Sequence, residues 1–217
     1  MRPKEFDTMT SQELVGELLQ IVGFVCVQPR KHARGTWCAS PEVSLPPDQA
    51  RIKELIQDYV VTTDNFLKMI MIAVKAEARI PIILMGETGC GKTSLVRVLA
   101  KILGVQFHTL CFHPGVSTDE ILEFVETHSA AAEQSGLETW LFLDKINTSQ
   151  NLGILQSLIV NREIPKLSRA LSPKLVPLSA CNTYCKKSST ASAALSVRSI
   201  AKVHFHADLV YSVDSSS

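Results

Sequence analysis

"GETGCGKT", residues 86–93, sets the frame for the whole chain. It satisfies G-x-x-x-x-G-K-[ST] at every fixed position. It follows an apolar run, "IPIILMG" (80–86), and opens a segment of helical spacing, "KTSLVRVLAKILG" (92–104). Strand, glycine-rich turn and helix are the context in which this pattern cradles phosphate rather than marking a chance turn. Gly86, Gly89 and Gly91 let the backbone curl until several N–H groups point inward as an anion nest. The helix beginning near Lys92 adds the positive end of its dipole and its unpaired N–H groups. Lys92 is placed to reach β- and γ-phosphates, and the Thr93 hydroxyl to ligate Mg²⁺. The candidate ligands are ATP and Mg²⁺, held by Gly86, Glu87, Thr88, Gly89, Cys90, Gly91, Lys92 and Thr93.

Such a loop needs an acid on a neighbouring strand to hold the metal, directly or through water. "WLFLD" (140–144) ends an apolar run on Asp144, about fifty residues after Lys92. An Asp closing a strand is often only a turn residue; the phosphate loop upstream favours the metal role. A polar group on the next strand, Asn182 in "SACN", fits a γ-phosphate sensor, although Asn also caps turns. The four strands expected at 80–85, 106–111, 140–144 and 174–181 should form one parallel sheet. Gly86 and Asp144 are expected at the carboxyl ends of adjacent strands in it.

Around these strands the apolar spacing predicts helices at 11–24, within 51–76, at 117–134 and at 149–160. "TTDN" (62–65) supplies cap residues, and Ser117 with Glu120 forms a capping-box pattern. Residues 29–50 are rich in Pro, Gly and charge and read as a linker. The expected organisation is an N-terminal helix and linker (1–50), a P-loop core (51–184) and a poorly defined tail (185–217).

At 217 residues with 46% apolar and 20% charged residues, the composition is that of a globular domain. Lys and Arg number 22 against 21 Asp and Glu, which favours no polyanionic partner. The stretch 162–202 holds eight Lys/Arg and one acid, Glu163, and reads as a solvated face. No apolar stretch reaches the roughly 18–20 residues of a membrane helix, and the start lacks the plan of a signal peptide. Six dispersed cysteines read as reduced cytosolic or nuclear thiols and not as a disulfide framework. A zinc site from Cys181, Cys185, His204 and His206 fits no standard ligand spacing.

With loop, acid and asparagine in order, "GETGCGKT…LFLDKIN…SACNTY" resembles the AAA+ ATPase superfamily. "TTDNFLKMI", "IPIILMGETGCGKTSLVRVLA", "NTSQNLG" and "ACNTY" make the resemblance closer to an AAA+ unit of the mysterin family, giant RING-containing ubiquitin ligases, over about residues 58–184. The resemblance implies a P-loop parallel sheet flanked by helices, ATP with Mg²⁺, and a cytoplasmic place near neighbouring AAA+ units or ubiquitination machinery. It assigns Lys92 and Thr93 to phosphate and Mg²⁺, Asp144 to the Walker B metal role and Asn182 to sensor 1. No RING array of Cys and His and no helical lid is read after Asn182, so the chain resembles a fragment or truncated paralogue with its lid missing or incomplete.

One residue departs from the family pattern. Where "DEIN" is expected the chain reads "DKIN", and Lys145 replaces the glutamate that orients the attacking water. General-base assistance of that kind contributes roughly 10²–10⁴ in rate. An ammonium offers three donors and no acceptor. Two function classes therefore stand side by side: a module that binds ATP without cutting it, and an active AAA+ ATPase. A DExH-type helicase would need an acid at 145 and a histidine at 147, where the chain has Lys145 and Asn147, and no aromatic-basic nucleic-acid stripe accompanies them.

Overall fold

The structure is a computed structural model that describes residues 3–26, 54, 56, 59–165 and 169–182. The chain forms two compact units, residues 1–79 with 95–104, and residues 80–94 with 105–217.

The first unit is helical. Helix α1 (Ser11–Cys26) buries Leu14, Val15, Leu18 and Val22, one stripe of its surface. Its start is fixed by a reciprocal cap that the sequence reading passed over in "TSQE". The Glu13 carboxylate accepts from the Thr10 backbone N–H (2.6 Å) and hydroxyl (2.8 Å), while Thr10 Oγ1 accepts from Glu13 N–H (3.4 Å). Helix α2 (Thr63–Glu77) is capped by Thr62, whose hydroxyl accepts from Asn65 N–H, as "TTDN" suggested. It buries Phe66, Met69, Ile72, Ala73 and Ala76, and Phe66 meets Phe6 with ring centroids 5.1 Å apart. Helix α3 (Lys92–Leu103) has its first residues in the second unit and the rest in the first. Of the expected helices within 51–76, the earlier one falls mostly outside the described residues.

The second unit is a four-stranded parallel sheet with helices, the α/β architecture expected. Its strands are β1 (Ile82–Gly86), β2 (Gln106–Cys111), β3 (Thr139–Asp144) and, last among the described residues, β6 (Leu175–Asn182). A separate two-residue pair, β4 (Glu163–Ile164) and β5 (Arg169–Ala170), runs antiparallel. Helix α4 (Thr118–Ser135) begins at Ser117, whose hydroxyl accepts from Glu120 N–H, and ends on left-handed Gly136. Ile121, Leu122, Val125 and Ala132 of α4 join Leu141, Leu143, Leu175 and Cys181 of the sheet in one hydrophobic core.

The sheet order is β1-β6-β3-β2, all parallel. This corrects one expectation: Gly86 and Asp144 do not end adjacent strands, because β6 lies between β1 and β3. The reason is burial. Residues Leu175 to Cys181 are all buried, so β6 takes an interior place, whereas β1 is only half-buried from Leu84 onward and serves as an edge. Asn182 consequently ends its strand between Gly86 and Asp144.

The helix expected at 149–160 also differs. A 3₁₀ turn (Ile146–Thr148) leads to α5 (Leu152–Gln156), followed by a π-helical turn (Ser157–Asn161). Asn151 delays the helix start: its Oδ1 accepts from the Thr118 hydroxyl (3.1 Å) and its Nδ2 donates to the Val116 carbonyl (3.2 Å). Competition of this kind is why Asn favours helix boundaries over interiors. Among the described residues no helix is long and apolar enough to cross a membrane.

Candidate nucleotide site

The residues singled out in the sequence meet at the carboxyl ends of β1, β6 and β3, the end of a parallel sheet where ligands bind in such folds. The loop after β1 turns through Gly89 (φ 86°) and Gly91 (φ 83°), a backbone region that side chains with a Cβ rarely adopt. At Gly86 the constraint is close approach: a Cβ there would lie 2.9 Å from Cys90 Sγ, so the exposed Cys90 side chain would have to shift. Glu87, Thr88, Gly89 and Cys90 are exposed, while Gly91, Lys92 and Thr93 are half-buried.

Lys92 folds back over this loop. Its ammonium donates to the carbonyls of Gly86 (2.8 Å) and Glu87 (2.7 Å), and to Oδ1 of Asn182 (3.2 Å). A compact cation with three donors thus sits between the glycine-rich turn and the end of β6.

Thr93 Oγ1 donates to Oδ2 of Asp144 at 3.0 Å, across the end of β6. The other carboxylate oxygen, Oδ1, accepts from Lys145 N–H at 2.8 Å. By the alternation of side chains along β3, Asp144 lies on the face of Trp140 and Phe142, opposite Leu141 and Leu143. A hydroxyl and a carboxylate in hydrogen-bonding contact are hard oxygen donors. They suit Mg²⁺, which keeps several waters and takes few protein ligands. Among the described residues no three His, Cys, Asp or Glu converge as a metal cage. Of the residues weighed for zinc, Cys181 is buried in β6, while Cys185, His204 and His206 lie outside the described residues.

Lys145 is exposed and adopts a left-handed backbone (φ 58°, ψ 39°). Neighbouring residues hold this turn through the Lys145 backbone, not through its side chain. The Thr148 hydroxyl is shared between the carbonyls of Lys145 (2.9 Å) and Phe112 (3.0 Å), and Thr148 N–H bonds the same Lys145 carbonyl (3.0 Å). One residue of the site was missed in the sequence. Asn147 is 9% exposed, and its Oδ1 accepts the backbone N–H of Asn182 at 3.2 Å. The sequence carries no signal for it, because its role depends on where β6 ends relative to β3.

A family model described as the RNF213 AAA domain matches residues 59–185. The human E3 ubiquitin-protein ligase RNF213 is 31% identical over 194 residues, which cover 84% of this chain and 4% of that protein. The mouse RNF213 is 30% identical over 194 residues, with the same coverage of 84% and 4%. The zebrafish (Danio rerio) E3 ubiquitin-protein ligase rnf213-beta is 27% identical over 190 residues, covering 83% and 3%. The chain thus spans about 4% of the length of the curated relatives it matches. Among solved structures, a Thermotoga maritima RuvB mutant aligns with a TM-score of 0.35 and 23% identity, covering 55% of this chain and 35% of that one. A second RuvB mutant aligns at 0.38 and 20%, covering 78% and 46%.

Proposed function

The chain belongs to the RNF213 AAA domain family, and from that membership we propose that it is an ATP-binding module in which Lys145 has blocked hydrolysis. Residues 51–184 make up the nucleotide-binding core in this reading. The glycine-rich turn and Lys92 hold the phosphates. Thr93 and Asp144 hold hydrated Mg²⁺, and Asn182 meets the γ-phosphate. When bound, the metal would spread and neutralise phosphate charge. The observation that carries the reading is the 3.0 Å contact from Thr93 to Asp144 beside the Lys92-lined loop. Two oxygen donors and a phosphate-binding turn then serve one ligand.

Lys145 supports the binding half of this function and opposes the hydrolytic half. It stands next to the metal-binding acid, where a carboxylate would hold water for attack. A lysine ammonium cannot accept a proton from that water, and it is drawn to phosphate charge. The relatives are named E3 ubiquitin-protein ligases. That kinship supports, as part of the proposal, a place in the cytoplasm beside neighbouring AAA units or ubiquitination machinery; ubiquitin transfer itself is assigned to no residue of this chain.

The test is a titration of a fluorescent ATP analogue, with and without Mg²⁺, against the natural and Lys92→Ala proteins. Metal-dependent binding that the substitution largely abolishes is expected. Equal affinities would overturn the assignment.

A further inference from the structure

At its carboxyl end β6 outruns β3. Pairing between them stops at Leu143↔Ser179, whereas β1 accompanies β6 to Gly86↔Asn182. β3 leaves because the left-handed turn at Lys145 takes the chain out of the sheet. The last residue of β6 therefore keeps a strand neighbour on the β1 side only. A strand end in that position loses ladder acceptors and frays unless something replaces them.

Asn147 supplies the replacement. Its side-chain carbonyl accepts the Asn182 N–H at 3.2 Å, standing in for the strand that has left. Asn147 is buried, and its turn is locked by the Thr148 hydroxyl bonds to Lys145 and Phe112. The same Asn182 whose backbone is held in this way offers its Oδ1 to the Lys92 ammonium at 3.2 Å. One line of hydrogen bonds thus runs from the turn after Asp144, through Asn147 and Asn182, to the lysine of the phosphate loop.

We propose that Asn147 is a positioning residue that sets Asn182 against Lys92 and thereby sharpens discrimination between ATP and ADP, without touching nucleotide itself. This rests on the nucleotide-binding reading of the site. It adds to that reading a residue outside the loop and outside the metal pair. Removing the Asn147 acceptor leaves the Asn182 N–H unpaired and lets the end of β6 move. A neutral hydrogen bond is worth about 1 kcal/mol net, roughly a fivefold change in an equilibrium constant.

The experiment uses the 217-residue chain and measures dissociation constants for Mg-ATP and Mg-ADP. The proteins are the natural chain, Asn147→Ala, Asn182→Ala and the double variant, with Asn147→Asp as the form that keeps an acceptor oxygen. Amide exchange at position 182 is read in the nucleotide-free proteins. The expected result is a loss of ATP-over-ADP preference of about fivefold in Asn147→Ala. Asn182→Ala should lose a similar amount, with little further change in the double variant, because the two residues act in series. Asn147→Asp should retain the preference, and amide protection at 182 should fall in Asn147→Ala. A preference unchanged in Asn147→Ala, an additive double variant, or unchanged protection at 182 would overturn the proposal. If Asn147→Ala fails to fold, an Asn147→Asp protein that loses the preference overturns it equally. A natural chain that binds neither nucleotide would overturn the site reading as well, and is recognised because Lys92→Ala then behaves identically.

Discussion

If Lys145 blocks hydrolysis as proposed, replacing it by glutamate should let the chain release phosphate from ATP. The turn that carries residue 145 is fixed by its neighbours: Lys145 N–H bonds the Asp144 carboxylate at 2.8 Å, and its carbonyl is held by Thr148. The side chain is exposed. Exchange there keeps the backbone geometry and changes stability by no more than about 0.5 kcal/mol, the usual range for surface substitutions. The restored carboxylate adjoins Asp144, itself 3.0 Å from Thr93. General-base assistance bounds the gain at roughly 10²–10⁴ in rate, which is about 3–5 kcal/mol of barrier at 1.36 kcal/mol per decade. The gain is smaller if no arginine arrives from another subunit, a group worth roughly 10³–10⁵ by itself. The assay is steady-state phosphate release at matched ATP occupancy, with Lys92→Ala as background. Turnover by the natural protein clearly above that background would refute the reasoning, because the ammonium would then not be blocking the step.

Two further substitutions test the packing of the second unit. Ser129 of α4 is fully buried, and its hydroxyl has no hydrogen-bond partner among the described residues. Ser129→Ala should stabilise the chain by about 1 kcal/mol, since burying an unpaired hydroxyl costs about 1–3 kcal/mol in proteins. For a domain of this size that gain raises Tm by about 2–4 °C in a thermal melt; a lower Tm would show that the hydroxyl is needed. His128 stacks on His108 (ring centroids 3.8 Å apart) with Phe124 edge-on at 4.6 Å, and desolvation, followed by repulsion from His108, holds its pKa below the ordinary value. The unfolded chain then binds the proton more readily, so this contribution is complete above the unfolded value of about 6.5 and is lost as pH falls below it towards the depressed folded value. Denaturant melts between pH 7 and 5 should show the natural chain losing more stability than His128→Gln; parallel losses would contradict the account.

The phosphate loop could be read in the sequence because its chemistry is local: three glycines, a lysine and a threonine at fixed spacing between a strand and a helix. The strands were equally plain. In β3 the residues Trp140 to Leu143 are all buried, so the interior strand shows as an unbroken apolar run. Strand order was not readable, because crossover helices let the last strand enter the sheet anywhere. The adjacency expected of Gly86 and Asp144 failed when β6 took the place between them. The helix expected at 149–160 broke up because Asn151 spends its side chain on Thr118 and Val116, contacts more than thirty residues away in sequence. The pair β4 and β5 is two residues a side, too short to show a period. Asn147 escaped notice for the same reason as Asn151: its role depends on where a distant strand ends, and nothing in "DKIN" alone declares it.

The central claim is that one Mg-ATP sits on the loop at 86–93 with its metal held at Thr93 and Asp144. A crystal structure of the chain with Mg²⁺ and a non-hydrolysable ATP analogue measures this most directly. The account predicts β- and γ-phosphates against the backbone of that loop, the Lys92 ammonium turned from the Gly86 and Glu87 carbonyls towards them, and the metal in contact with Thr93 and, directly or through water, Asp144. Nucleotide bound elsewhere, or a metal out of reach of both Thr93 and Asp144, would contradict it.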